Sequence, residues 1–210
     1  MQSLDRPRRL LAFAIAALAG YVDAIGYLAA EGYFVSFMSG NTTRLATDFV
    51  RSPQLAFTPL LLVGGFVGGV ALGRVLAAKT GRHRKPSVLG AVTLFLAGAY
   101  GARLAGSPTA ALACMVLAMG ALNNTFQRDE NPVGLTYMTG ALVRIGQGIA
   151  DHVTGRRSTG WLLFLGLWIA LAGGAICGAF AFVELGVVSL GFAVLGSAAL
   201  CLGSFGISKR

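Results

Sequence analysis

The chain has 210 residues, of which 55% are hydrophobic and 12% charged, and its mean hydropathy is +0.71. A soluble domain of this length needs more polar surface, so the composition is that of a membrane protein. The net charge of +9 does not point to nucleic acid, because the basic residues sit in short clusters between apolar runs, as they do in membrane proteins that keep positive loops on one side.

The first apolar run follows a basic start, "MQSLDRPRRLLAFAIAALAG", and the Ala17-Leu18-Ala19 before Gly20 resembles a signal-peptide cleavage site. The run continues to Ala30, however, and has a counterpart in the second half, so it reads as part of the fold. In all, six runs reach or approach the roughly 20 residues that cross a bilayer as a helix: about 10–30, 57–78, 87–104, 108–127, 160–182 and 185–206. Two further segments, about 33–50 and 133–151, are only half apolar and carry Arg44, Asp48, Arg144, Gln147 and Asp151. As lipid-facing spans they would be costly. They read instead as re-entrant or broken helices.

The halves repeat. At an offset of 100, Gly20 meets Gly120, Asp23 meets Asn123, Met38 meets Met138, Ser39 meets Thr139, Gly40 meets Gly140 and Arg44 meets Arg144. Further along the offset becomes 105, pairing Gly69 with Gly174 and Gly73 with Gly178 on ladders of small residues that let helix backbones approach. We read 1–105 and 106–210 as two repeats within one membrane domain. Three spans per repeat is an odd number, so the repeats are expected to be inverted. With the N-terminus inside, the cytoplasmic side receives Arg6, Arg8, Arg9, the Arg74–Lys85 cluster, Arg128, Arg156, Arg157, Lys209 and Arg210, and the outer side only Arg51 and Arg103. That asymmetry is the positive-inside pattern. It places both termini in the cytoplasm of a multi-pass protein. If all eight segments crossed, the basic cluster at 79–85 would fall outside.

The polar segments are the candidate site. Ser39-Gly40-Asn41-Thr42 can break the chain and start a short helix with Ser39 or Asn41 as N-cap, and Thr139-Gly140 does the same in the second half. Irregular backbone at membrane depth survives only against protein or a water-filled cavity. Helix amino ends there offer N–H groups and partial positive charge to an anion or a carboxylate. Two such ends meeting near the midplane, with Arg44 and Arg144 one turn on, are the expected arrangement of an inverted-repeat transporter. The competing reading is that the segments plug the bundle and satisfy each other. Asp23, about thirteen residues into the first span, is a proton- or ion-coupling group on the first reading and an ion-pair partner of an arginine on the second. Asn123, its counterpart, adds uncharged hydrogen-bonding capacity.

Other chemistry is poorly supported. Cys114, Cys177 and Cys201 lie in apolar runs without metal-ligand spacing, and His83 and His152 lie in or near basic loops. No GxSxG, HExxH, paired-carboxylate or phosphate-loop motif occurs, so neither an enzyme nor a cofactor or metal is expected. Gly-rich bundles often pair, and a homodimer is compatible with the sequence.

"GYVDAIGYL" (20–28), Phe34 and "FMSGNTTRLA" (37–46) resemble the YoaK-like family of bacterial inner-membrane proteins, a domain of unknown function. Gly20, Asp23, Ala24 and the Met38–Thr42 segment carry the likeness, and "YMTGALVR" (137–144) is similar to the family's second copy. The resemblance covers essentially the whole chain. It implies a polytopic bacterial membrane protein and no particular solute. The expected protein is therefore all-α and membrane-embedded, with six transmembrane helices, two re-entrant segments and two inverted repeats. It moves a small solute, with an anion or carboxylate favoured, or, alternatively, serves as a membrane scaffold. The expected site comprises Ser39, Gly40, Asn41, Thr42, Arg44, Asn123, Thr139, Gly140 and Arg144, with Asp23 as the coupling group.

Overall fold

In the computed structural model of the protein, residues 5–128, 131–132, 138–156 and 159–208 are described. The chain runs α1 (Arg6–Ala29), α2 (Met38–Arg51), α3 (Phe57–Thr80), a 3-10 turn (Gly81–His83), α4 (Arg84–Leu104), α5 (Pro108–Leu122), α6 (Met138–Val153), α7 (Trp161–Leu185) and α8 (Val188–Ser208). A two-residue antiparallel pair sets Gln127 opposite Pro132 and Arg128 opposite Asn131.

Among the described residues, four stretches are long and apolar enough to cross a membrane: Arg6–Ala29, Phe57–Leu104, Trp161–Leu185 and Val188–Ile207. The second contains α3 and α4, separated by the 3-10 turn, where Gly81 has φ +46. The turn between α7 and α8 uses Gly186 at φ +56, offset by 105 residues from Gly81. Only glycine takes this backbone region readily, and it reverses the chain sharply at both places. α1 starts on Asp5, whose Oδ1 accepts from the Arg8 N–H at 3.1 Å, with proline in the first turn.

α5 is shorter than the apolar run suggests and ends at Leu122. The side-chain amide of Asn123 donates to the Met119 carbonyl at 3.0 Å, and the Thr125 hydroxyl donates to the Leu122 carbonyl at 2.8 Å. Such local side-chain bonds compete with the helix ladder. The following Asn124 reaches across to the Val70 carbonyl on α3 at 2.9 Å.

The core is built around α1 and α5. Ile15, Ala19, Val22 and Ile25 of α1 and Met119, Ala118 and Leu122 of α5 are fully or almost fully buried. α7 turns a largely apolar face outward, with Ile176 and Val183 each 71% exposed. Water would not tolerate such a surface, and lipid would.

The packing repeats under the sequence offsets. α1 packs on α7, and its equivalent α5 packs on α3. In the first crossing, a Cβ on Gly20 would strike Leu171 and Ala175, one on Gly174 would strike Ala17, and one on Gly178 would strike Tyr21. In the second, Gly120 meets Phe66 and Val70, Gly69 meets Leu117, and Gly73 meets Ala121. Each contact of one crossing is the other shifted by 100 on one helix and 105 on the other. α4 and α8, the two remaining equivalents, pack on each other.

The basic residues gather at one end. Lys85, in the first turn of α4, lies 5.5 Å over the Phe126 ring just beyond α5 and within electrostatic reach of Arg8 in α1. His83 faces Phe205 near the end of α8, with 6.5 Å between ring centroids. Arg6 and Arg9 share a groove with Thr159 and Gly160, which precede α7. The starts of α1, α4 and α7 and the ends of α3, α5 and α8 therefore lie together. α2, between the end of α1 and the start of α3, lies at the opposite end, and α6, between α5 and α7, lies at the basic end.

Candidate functional site

The motif that opens α2 is built around the loop 30–37. α1 closes with Glu31 at φ +52 and Gly32 at φ +92, and the chain then runs back past the end of α1. Tyr27, Phe34 and Phe37 pack ring to ring, the first pair tilted and the second edge to face, with centroids 4.9 and 5.1 Å apart. Gly40 is needed beneath them, because a Cβ there would enter the ring of Phe37.

Three side chains one and two turns apart on α2 then grip this loop. Asn41, fully buried, pairs with Phe34 in both directions: its amide donates to the Phe34 carbonyl at 2.7 Å, and its Oδ1 accepts from the Phe34 N–H at 3.0 Å. Arg44 donates to the Gly32 carbonyl, with the Glu31 carbonyl at 3.4 Å, and lies over the Tyr33 ring at 4.5 Å. Asp48, also buried, accepts from the Tyr33 hydroxyl at 2.8 Å. Burial first, and then the hydrogen bond to Asp48, raises the Tyr33 phenol above its ordinary pKa.

Asp23 completes the clamp from α1. Its Oδ1 accepts from the N–H groups of Val35 at 2.9 Å and Ser36 at 2.7 Å, with the Phe37 N–H and the Ser36 hydroxyl also directed to it. Successive N–H groups around one oxygen form an anion nest. The nest lies immediately before the amino end of α2, so that end already holds an anion from its own chain.

These contacts revise the expected site. α2 begins at Met38 with Phe37 as N-cap and no side-chain cap, so Ser39 and Asn41 are inside the helix rather than capping it. Asn41 is drawn to Phe34, and the chain break falls in the loop before Met38. Ser39 and Thr42 are exposed, and the Thr42 hydroxyl donates to the Met38 carbonyl one turn back. α6 likewise begins at Met138, ahead of Thr139 and Gly140. Thr139, Gly140 and Arg144 are exposed, no described residue lies within 4 Å of a Cβ on Gly140, and Arg144 lies 5.0 Å over the Phe164 ring of α7. Among the described residues no carboxylate pairs with Arg144 or Arg44. Asn123 is buried at the end of α5.

The structure does not bring the two polar segments together. α2 packs on α3 and α6 on α7, and among the described residues no helix contact joins α2 to α6. The meeting near the midplane expected from the sequence is absent for a geometric reason: the two helices stand at opposite ends of the bundle. Sequence reasoning also missed Tyr33, and it noted Asp48 only as a polar residue of the 33–50 segment. The i, i+3, i+7 spacing of Asn41, Arg44 and Asp48 was the available signal.

The second copy lacks most of this clamp. Where Asn41 and Asp48 are buried on α2, the offset of 100 gives Ala141 and Gly148, both buried on α6. Gly148 receives the side chain of Trp161, which a Cβ would strike. Asp23 is replaced by Asn123. The arginine is common to both copies. The residues just before α6, 133–137, lie outside the described residues.

Among the described residues no group of three or more His, Cys, Asp or Glu side chains is placed to hold a metal. A glycine-crossed bundle of apolar helices with lipid-compatible outer faces defines a multi-pass membrane protein. The chain belongs to the family described as "Protein of unknown function (DUF1275)", which matches residues 11–203. It is 40% identical over 201 residues to a UPF0700 transmembrane protein of Rhizobium meliloti (strain 1021), covering 95% of this chain and 87% of that one. No solved structure matches.

Proposed function

We propose that the protein conducts a small anionic or carboxylate solute across the bacterial inner membrane, as a transporter or channel of six spans in two inverted repeats. Within its family the Gly20–Asp23 and Met38–Thr42 motifs favour the YoaK-like group. The repeated crossings of α1 with α7 and α5 with α3 support the repeats 1–105 and 106–210. Their inversion is supported by the ends: α1 starts at the basic end, whereas α5 finishes there. The same clustering supports cytoplasmic termini.

One observation carries the solute reading. In the first copy the anion position at the amino end of α2 is filled by Asp23, and Arg44 is tied to loop carbonyls. In the second copy that carboxylate is Asn123, while Arg144 is exposed and unpaired by any described carboxylate. An arginine and a helix amino end with no internal anion among the described residues suit an external one. Thr139, Gly140 and Arg144 would contact the solute. Ser39, Gly40, Asn41, Thr42 and Arg44 would form the fixed counterpart at the other end.

A second reading, a membrane scaffold without a transported solute, draws on the internal satisfaction of the α2 clamp. Thermal unfolding against small anions and carboxylates separates the two. A ligand at a hundredfold excess over Kd stabilises by about 2.7 kcal/mol. We expect a saturable shift that R144Q abolishes without changing unliganded stability, while R44Q lowers unliganded stability because it releases the loop. A shift that survives R144Q refutes the α6 site. Absence of any shift, with R44Q alone destabilising, favours the scaffold.

A further inference from the structure

A groove lies away from both polar helices. It occupies about 650 Å3 at the basic end, between the first turns of α1 and the start of α7. Arg6 and Arg9 form one wall, Thr159 forms part of the opposite rim, and Leu10, Phe13 and Leu163 are apolar lining. Phe13 is fixed there by contact with α7, since its ring lies 3.0 Å from a Cβ position on Gly166.

We propose that this groove is a binding site for one anionic phospholipid, with its phosphate between Arg6 and Arg9 and an acyl chain along Leu10, Phe13 and Leu163. Three features select that occupant. First, Arg6 and Arg9 are exposed, share a helix face at i, i+3, and have no carboxylate partner among the described residues, whereas the intervening Arg8 pairs with Asp5 at 3.7 Å. Two guanidinium groups present forked donors matched to a phosphate diester. Second, the lining below the arginines is apolar, and Leu10 is 67% exposed, so the groove is continuous with the lipid-facing surface. A free inorganic anion would gain nothing from that lower part. Third, the groove lies at the end where the positive residues gather, the depth at which basic clefts between membrane helices meet anionic headgroups. The site is independent of the solute reading, because none of its residues belongs to α2 or α6.

The test uses full-length protein in neutral detergent, with native mass spectrometry and thermal unfolding as readouts. Dioleoyl phosphatidylglycerol is compared with dioleoyl phosphatidylcholine and with inorganic phosphate. The expected result is retention of one phosphatidylglycerol at least tenfold tighter than phosphatidylcholine, with no protection by phosphate. R6Q/R9Q should lose the preference while keeping its stability in neutral detergent. T159W, which keeps every charge but fills the groove, should lose it too. K79Q/R82Q, the same charge change at the same end outside the groove, should keep it. Equal loss in K79Q/R82Q would reduce the effect to general surface charge and overturn the site. Protection by phosphate alone would overturn the lipid in favour of a free anion. Unchanged binding in both R6Q/R9Q and T159W would place the lipid elsewhere.

Discussion

Asp23 shows how a single side chain can satisfy an apparently functional pattern by structural means. A carboxylate about 25 Å along a membrane helix (at 1.5 Å per residue) is costly unless it is paired or hydrogen-bonded. Here one oxygen receives the N–H groups that the 33–37 loop turns inward. D23A should leave those donors without an acceptor and cost about 2–4 kcal/mol. D23N keeps an acceptor oxygen but loses its charge, and should cost about 1–2 kcal/mol. Unfolding in mixed micelles measures both. A coupling role predicts a different outcome, in which D23N is as stable as the parent and uptake loses its pH dependence. That Asp23 must have a partner was legible in the sequence. Which partner was not, because backbone N–H groups carry no residue identity, and the arginines that looked suited to it bind carbonyls or an aromatic face instead.

At the scale of elements, the glycine ladders were legible in a way the helix starts were not. Gly69 and Gly174 were paired by the offset alone, and both lie at crossings where backbone meets backbone. G174A should force α7 away from Ala17 and cost about 1–3 kcal/mol, as overpacking does. The adjacent G173A, with nothing within 4 Å of its Cβ, should stay within about 0.5 kcal/mol of the parent. Equal effects would mean that helix propensity, rather than the crossing, sets the response. α2 and α6 were recognised as separate polar helices, but their starts were misplaced. Ser39, Asn41 and Thr139 are good N-cap types, and the backbone bonds available to Asn41 in the loop outweighed that local preference. The end of α5 moved for the same reason, through Asn123 and Thr125.

For the molecule as a whole, the clustering of helix ends sets α2 and α6 at opposite ends of the bundle, which in the proposed inverted arrangement are opposite sides of a membrane. In a background lacking Cys114, Cys177 and Cys201, S39C should react with an impermeant thiol reagent from outside and T139C from inside, both positions being exposed. Reaction of both from the same side would refute the inverted arrangement. The sequence carried the offsets and the charge asymmetry from which this follows. It did not carry the separation of the two polar helices, because identical motifs suggest a shared location, and only the path of the intervening spans shows that they end apart.

The interlocked crossings also bear on how the chain is made. α1 lies against α7, more than 130 residues later in synthesis, and α5 lies against α3 from the other half. At about 5–20 residues per second, α1 waits roughly 7–26 s for its partner. During that interval Gly20 and the backbone it exposes face lipid or the insertion machinery instead of α7. Neither half can complete its own packing before the other arrives. The nascent first repeat is therefore an unfinished surface in the bilayer, and its survival depends on the speed and company of its own translation.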